Sequence, residues 1–306
     1  MKILNREKNI KNIEDAINSN AKPYTLVIMP AIFISILFII PFLWGIYLTF
    51  TNFKLGSQSM DFNWFRNYWS ILTSEDFWGA AIRTLQYALL AVSIEFMLAV
   101  ILSMLMNTET FMAKVMRRLI SFPLMIAPIL ATLALKLMLN NRFGVVNYLL
   151  SFFGQQDFAW GASPATSMFT VILVDIWIFT PFMALIILAG LRSLPKDPLE
   201  AAEVDGASSR DIFFKIMAPM ILPTVLVAVI FRFIDCVKVF DVIWGMTAGG
   251  PGSSTLTLSI QGYVLSFSAM DIAKGNTVLG LIWIINLVLG NKLLDFWRVS
   301  RERLGS

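Results

Sequence analysis

The chain has 306 residues, 57% of them hydrophobic and only 14% charged, and its mean hydropathy is +0.72. The apolar residues fall in long runs nearly free of charge rather than alternating with a polar face, so lipid, not water, is the solvent for most of the chain. There is no histidine, which excludes imidazole triads, His-containing zinc sites and histidine switches. The single cysteine, Cys236, has no intrachain disulfide partner and lies in an apolar run, where a thiol behaves as a small hydrophobe. The net charge of +4 reads as Lys and Arg on the cytoplasmic loops of a membrane protein rather than as a nucleic-acid footprint.

Residues 1–23 form a polar head, expected to be cytoplasmic, in which Leu4, Ile10, Ile13 and Ile17 recur at mostly helical spacing among Lys2, Lys8 and Lys11. It reads either as a short helix on the inner membrane surface or as a solvated tail. A hydrocarbon core about 30 Å thick takes roughly 20 helical residues, and six stretches qualify, near 24–50, 79–106, 118–139, 165–191, 220–246 and 275–296. The first is too long for a signal-peptide core and has no small-x-small cleavage site in a sensible place, so it is expected to stay as an anchor. Residues 297–306 form a second polar tail. No tandem repeat, low-complexity tract or long linker interrupts the chain. The expected fold is therefore all-α, a polytopic membrane protein with one six-helix transmembrane domain over 24–296.

Segments 1–23, 107–118, 192–215 and 297–306 carry 15 Lys and Arg, against 3 in 51–78, 140–164 and 247–271. That asymmetry predicts cytoplasmic termini, and Trp44, Trp78, Trp160 and Trp244 then fall near the outer span ends as an aromatic belt.

The inner loop between the fourth and fifth spans, residues 192–219, is long and reads as two short helices. Asp197 is positioned to cap the first, with Pro198 at its first position and Leu199, Glu200, Ala201, Ala202 and Glu203 behind it. Gly206 permits a sharp change of direction, and Ser208 or Ser209 can cap a second helix with Phe213, Phe214 and Ile216 on its apolar face. Pro219 and Pro223 are expected to break or kink the entry into the fifth span. The small side chains of Ala201 and Ala202 would let a partner's surface approach the backbone.

Glu200-Ala201-Ala202, Asp205-Gly206-Ala207, Phe213, Ile216, Pro219 and Pro223 resemble the "EAA" motif of permease subunits of binding-protein-dependent ABC importers. Past the fifth span, Val239-Phe240-Asp241-Val242-Ile243-Trp244, Thr247-Ala248-Gly249-Gly250-Pro251, Ser254-Thr255, Tyr263 and Phe267 resemble one permease type of the carbohydrate-uptake, maltose-transporter-like branch. Ala248 departs from the usual first glycine there. The resemblance covers roughly residues 24–298 and implies a type I importer permease in a bacterial inner membrane. It further implies a separate ATPase dimer, a second permease subunit, an extracytoplasmic solute-binding protein and a sugar substrate. Glu200, Ala201, Ala202, Asp205 and Gly206 would form the contact with the ATPase. No Walker A pattern occurs, so ATP and Mg are expected on the partner and no cofactor on this chain.

Polar residues inside spans are costly and usually face protein or a cavity. Arg232, Asp235, Lys238 and Asp241 alternate in sign at spacing three, either as a self-neutralising ladder that supports packing or as a lining of the translocation path. Glu95 and Asp175 are lone acids that can pair with Arg232 or Lys136, or accept from sugar hydroxyls. Trp177, Trp283 and Asn286 lie near mid-span and suit sugar stacking or amide hydrogen bonding, although packing is the commoner use for such residues. Acidic sugars and glycerol phosphate are alternative cargoes. A proton-coupled secondary transporter using Glu95 and Asp175 is a more distant reading, and it leaves the Glu200–Pro223 loop unexplained.

Overall fold

The computed structural model describes residues 24–154 and 158–303, so the surface helix considered within 1–23 lies outside the described residues. Among those described, regular structure is helical apart from one antiparallel bridge between Thr51 and Phe62. Helix α1 (Tyr24–Leu48) leaves most of its apolar surface open, as a lipid-facing helix does. A short helix, α2 (Arg66–Leu72), follows it, and then α3 (Glu75–Met106).

On α3, Ala80, Thr84, Ala88, Ala91, Glu95, Ala99 and Ser103 recur every three or four residues and are all buried. This stripe of mostly small side chains lets α7 (Pro164–Arg192) pack closely along α3, with Val171, Val174, Ile178 and Ile187 in the shared core. In lipid there is no hydrophobic drive between helices, so the close approach itself supplies the attraction.

The third expected span, 118–139, is not one helix. Helix α4 (Phe111–Leu119), a 3₁₀ turn at Pro123–Met125 and α5 (Pro128–Met138) replace it, and the chain bends by 99° between 111–125 and 128–138. Ile126 and Ala127, just ahead of Pro128, are extended with ψ of 135° and 132°. Proline disfavours helical geometry in the residue before it and donates no N–H, which explains the break. Helix α5 is about 16 Å long, well short of a hydrocarbon core.

After α6 (Val145–Ser151), α7 and α8 (Asp197–Val204), helix α9 runs from Ser209 to Val237. Helical structure continues through Pro219 and Pro223, so neither proline breaks it as expected. A π-helical turn at Ile212–Met217 directly precedes Pro219, and its wider hydrogen-bond spacing accommodates a ring without an N–H. The fifth span thus starts about three turns earlier than expected and ends earlier too. After Val237 the chain leaves the helix and re-forms as α10 (Asp241–Thr247).

Helix α10 packs on α5: a Cβ on Gly245 would lie 3.0 Å from both Ile129 and Thr132, and the Lys136 ammonium donates to the Gly245 carbonyl at 3.0 Å. Residues 247–271, expected as an outer loop, contain α11 (Leu258–Tyr263), which continues into a second π-turn, Val264–Ser268. Helix α11 is buried, and its Ser259 hydroxyl donates to the Val239 carbonyl, left free where α9 ends. The last helix, α12 (Ile272–Arg303), extends through the described part of the expected C-terminal tail. It is tied to the loop after α1 by bonds from the Leu55 N–H to Met270 (2.8 Å) and from the Ala273 N–H to Phe53 (3.1 Å).

Candidate functional site

Helix α8 carries the motif of small residues. Lys196, not Asp197, is its N-terminal boundary residue, and no side chain caps the end. Asp197 sits inside the first turn with Glu200, where a carboxylate still faces the positive end of the helix. The C-terminal end is closed by two bonds, Ala207 N–H to the Ala202 carbonyl at 3.0 Å and Gly206 N–H to the Glu203 carbonyl at 3.1 Å. Gly206 has φ +77°, the left-handed conformation that this Schellman closure requires and that glycine adopts without a Cβ penalty. Ser208 then caps the next helix, accepting from the Asp211 N–H at 3.2 Å.

Glu200, Ala201, Asp205 and Gly206 are exposed and Ala202 is half-buried, while the neighbouring Val204 is 89% exposed. Helix α8 rests on the π-turn of α9. The base of this loop is held by Glu109, which accepts from Arg192 at 2.8 Å and pairs with Arg117 at 3.8 Å. That clamp joins two loops far apart in sequence and had no sequence signal beyond the presence of charge.

The membrane-embedded charges converge on Arg232. Its Nε and Nη2 donate to the two oxygens of Glu95 at 2.8 and 3.0 Å, Nη2 also donates to Asp175, and Nη1 donates to Asp235 at 3.0 Å. Its guanidinium lies 4.0 Å from the centre of the Phe179 ring. Glu95 on α3, Asp175 on α7 and Arg232 on α9 are fully buried, so one side chain ties three spans together. Asp175 Oδ1 and the Tyr87 hydroxyl are buried and find no hydrogen-bond partner among the described residues.

Of the three adjacent pairs in the expected charge ladder, two are present among the described residues. Lys238 reaches Asp235 at 3.8 Å, but Asp241 belongs to α10 and has left the row. Lys136, weighed as a partner for the acids, is engaged with Gly245 instead. Arg232, Asp235 and Lys238 border a cleft of about 430 Å³ walled by Phe179, Phe182 and Phe231.

The remaining path candidates do not join them. Trp177 stands on the open face of α7, 43% exposed. Trp283 makes an edge contact with Phe42 at 5.3 Å beside a separate cleft of about 280 Å³ that also includes Tyr68 and Asn276. Asn286 keeps a buried side-chain oxygen that finds no hydrogen-bond partner among the described residues.

The second motif folds into one unit. Phe240, Trp244, Tyr263 and Phe267 form a run of ring contacts, 5.7 Å between Phe240 and Trp244, 4.5 Å between Trp244 and Tyr263 and 4.9 Å between Tyr263 and Phe267. The turn between α10 and α11 is held by Thr255, which donates to Gly250 at 3.0 Å, and by Ser254, which meets Ser167 of α7 at 2.7 Å. Ala248 has φ 52°, so the position where the resemblance expects glycine adopts a left-handed backbone here with a Cβ present.

A helical membrane body with a motif-bearing helix at the foot of one long span is the architecture of an ABC importer permease, and direct comparison agrees. The model of the binding-protein-dependent transport system inner membrane component family matches residues 95–301; the chain belongs to that family. It is 36% identical over 276 residues to a probable ABC transporter permease protein, y4oQ, of Sinorhizobium fredii, covering 89% of this chain and 88% of that one. It is 32% identical to the trehalose/maltose transport system permease protein MalF of Thermococcus litoralis, covering 92% and 96%. The fold is that of a chain in the crystal structure of a bacterial alginate ABC transporter with its alginate pentasaccharide-bound periplasmic protein, with a TM-score of 0.79 at 21% identity over 96% and 98% of the two chains.

Proposed function

We propose that this chain is one of two permease subunits of an ATP-driven saccharide importer, with its Lys- and Arg-rich loops in the cytoplasm. In this reading α8 docks through Ala201 and Ala202 on a separate ATPase dimer that binds ATP and Mg. A solute-binding protein delivers cargo at the opposite side. The observation that carries the proposal is the continuity of α9. The helix resting beside α8 at one end is the same helix that holds Arg232 and borders the aromatic-walled cleft. It is about 43 Å long, so a displacement of α8 by the ATPase reaches the membrane interior through one rigid element and a single buried clamp.

The saccharide class is supported by the trehalose/maltose relative and by three phenylalanine rings beside half-buried Asp235 and exposed Lys238. Rings stack on sugar C–H faces, and the two charged groups accept from and donate to hydroxyls. A neutral saccharide is favoured over an acidic sugar or glycerol phosphate, because Arg232 is already surrounded by three carboxylates and offers no free charge to an anion. The same bonds argue against a proton relay, since Glu95 and Asp175 are both engaged and fully buried.

The test is Ala202→Trp in the complete transporter. Membrane abundance should be unchanged while sugar uptake and cargo-stimulated ATP hydrolysis are lost. Full uptake by this variant would sink the docking role, and normal coupling with no uptake of any neutral sugar would sink the cargo class alone.

A further inference from the structure

Helix α4 does not run in line with α5, and its surface is divided in two. At 100° per residue, Phe111, Met112, Val115, Met116 and Leu119 share one arc and Lys114, Arg117 and Arg118 share another. Phe111 is 81% exposed and Met112 and Leu119 are each 65% exposed. Past the helix Phe122 and Met125 are exposed as well, whereas Leu124 between them borders the Arg232 cleft. Arg117 is occupied by the Met106 and Thr108 carbonyls and Glu109, whereas Lys114 and Arg118, one turn apart, are exposed and make no ion pair among the described residues. The 99° bend before α5 sets this segment nearly perpendicular to the helix that enters the membrane body.

We propose that α4 is an interfacial helix that seats its Phe111–Leu119 arc in the bilayer surface and binds anionic lipid headgroups through Lys114 and Arg118. Continuity with the chain's own membrane domain identifies the occupant of the apolar arc. The charge of the neighbouring arc identifies the headgroup. An in-plane helix of this kind buries its apolar face at the headgroup boundary and gains from each cation near an anionic surface. The inference rests on the chain being a membrane protein, not on its cargo or its orientation.

The experiment uses the assembled transporter in nanodiscs of phosphatidylcholine alone or mixed equally with phosphatidylglycerol. A fluorescent label is placed at Met112→Cys; native Cys236 is buried and does not compete. The label should be quenched by spin-labelled lipid rather than by an aqueous quencher, and phosphatidylglycerol should raise the ratio of lipid to aqueous quenching. Lys114→Gln with Arg118→Gln should remove that gain, about fivefold for each charge lost, and Lys114→Arg with Arg118→Lys should keep it. An aqueous-exposed label, a lipid preference unchanged by the double Gln variant, or shielding that depends on the ATPase being present would each overturn the proposal. The last would assign the surface to a protein partner. Because both leaflets have the same composition, failure of the proposed orientation does not alter the readout.

Discussion

Arg232 is the residue on which the membrane interior depends. A lone guanidinium in hydrocarbon is costly, and here that cost is offset by bidentate pairing with Glu95 and by contacts to Asp175 and Asp235. Removing one partner of a buried ion network leaves the others uncompensated, which typically costs about 3–5 kcal/mol. Arg232→Met should therefore lower the thermal unfolding midpoint in detergent sharply. Arg232→Lys should recover only part of the loss, because a compact ammonium cannot reproduce the planar fork that serves three carboxylates. Equal stability of the Met variant and the parent would remove the clamp from the account. That the three buried charges were candidates was legible from their types in apolar runs. Which of them met was not, because pairing depends on how α3, α7 and α9 are rotated about their axes.

At the scale of elements, glycine sets two junctions by different physics. At Gly206 nothing lies within 4 Å of a built Cβ, yet φ is +77°, so any penalty there is conformational. Gly206→Val should weaken the closure of α8 by about 1–2 kcal/mol and reduce cargo-stimulated ATP hydrolysis, with Gly206→Ala milder; equal activity of all three would disconnect the turn from coupling. Gly275 is the reverse case, inside a helix with ordinary backbone. A Cβ there would lie 1.9 Å from the Ser266 hydroxyl oxygen and 2.7 Å from the Gly262 carbonyl oxygen. Gly275→Ala must push α12 away from the turn after α11, at a cost of about 1–3 kcal/mol, visible as a lower yield of monodisperse protein after detergent extraction. The Gly206 turn was legible because the residues on either side specify a helix end. The Gly262 and Gly275 crossing was hidden, since 247–271 read as an outer loop without Lys or Arg and a crossing of two segments leaves no local pattern.

For the molecule as a whole, the Lys and Arg asymmetry makes a directional prediction. Ser57, Ser209 and Ser253 are all exposed, so single cysteines at these positions report sidedness without disturbing packing. Ser57→Cys and Ser253→Cys should react with an impermeant maleimide on intact cells freed of their outer barrier, and Ser209→Cys only after the membrane is opened. The inverse labelling pattern would reverse the proposed orientation and move α8 away from any cytosolic ATPase.

Composition and apolar run length determined that this is a helical membrane protein, and the residues from Glu200 to Pro223, by their resemblance to a known motif, pointed to its family and to a helix suited to docking. Those properties are local: a run either exceeds the thickness of lipid or does not, and a motif is read along the chain. The tertiary structure decided the rest. It split the third span at Pro123 and Pro128, carried α9 unbroken from Ser209 through two prolines, and folded 247–271 back into the body. It also left Trp177, Trp283 and Asn286 out of the lining of the Arg232 cleft. The break before Pro128 has a local cause, but the end of α9 and the meeting of the charges turn on partners distant in sequence, as the Val239 carbonyl finds Ser259 and Arg232 finds Glu95. In lipid an unsatisfied group has no water to fall back on, so such long-range partners, along with local proline chemistry, choose where helices stop and meet.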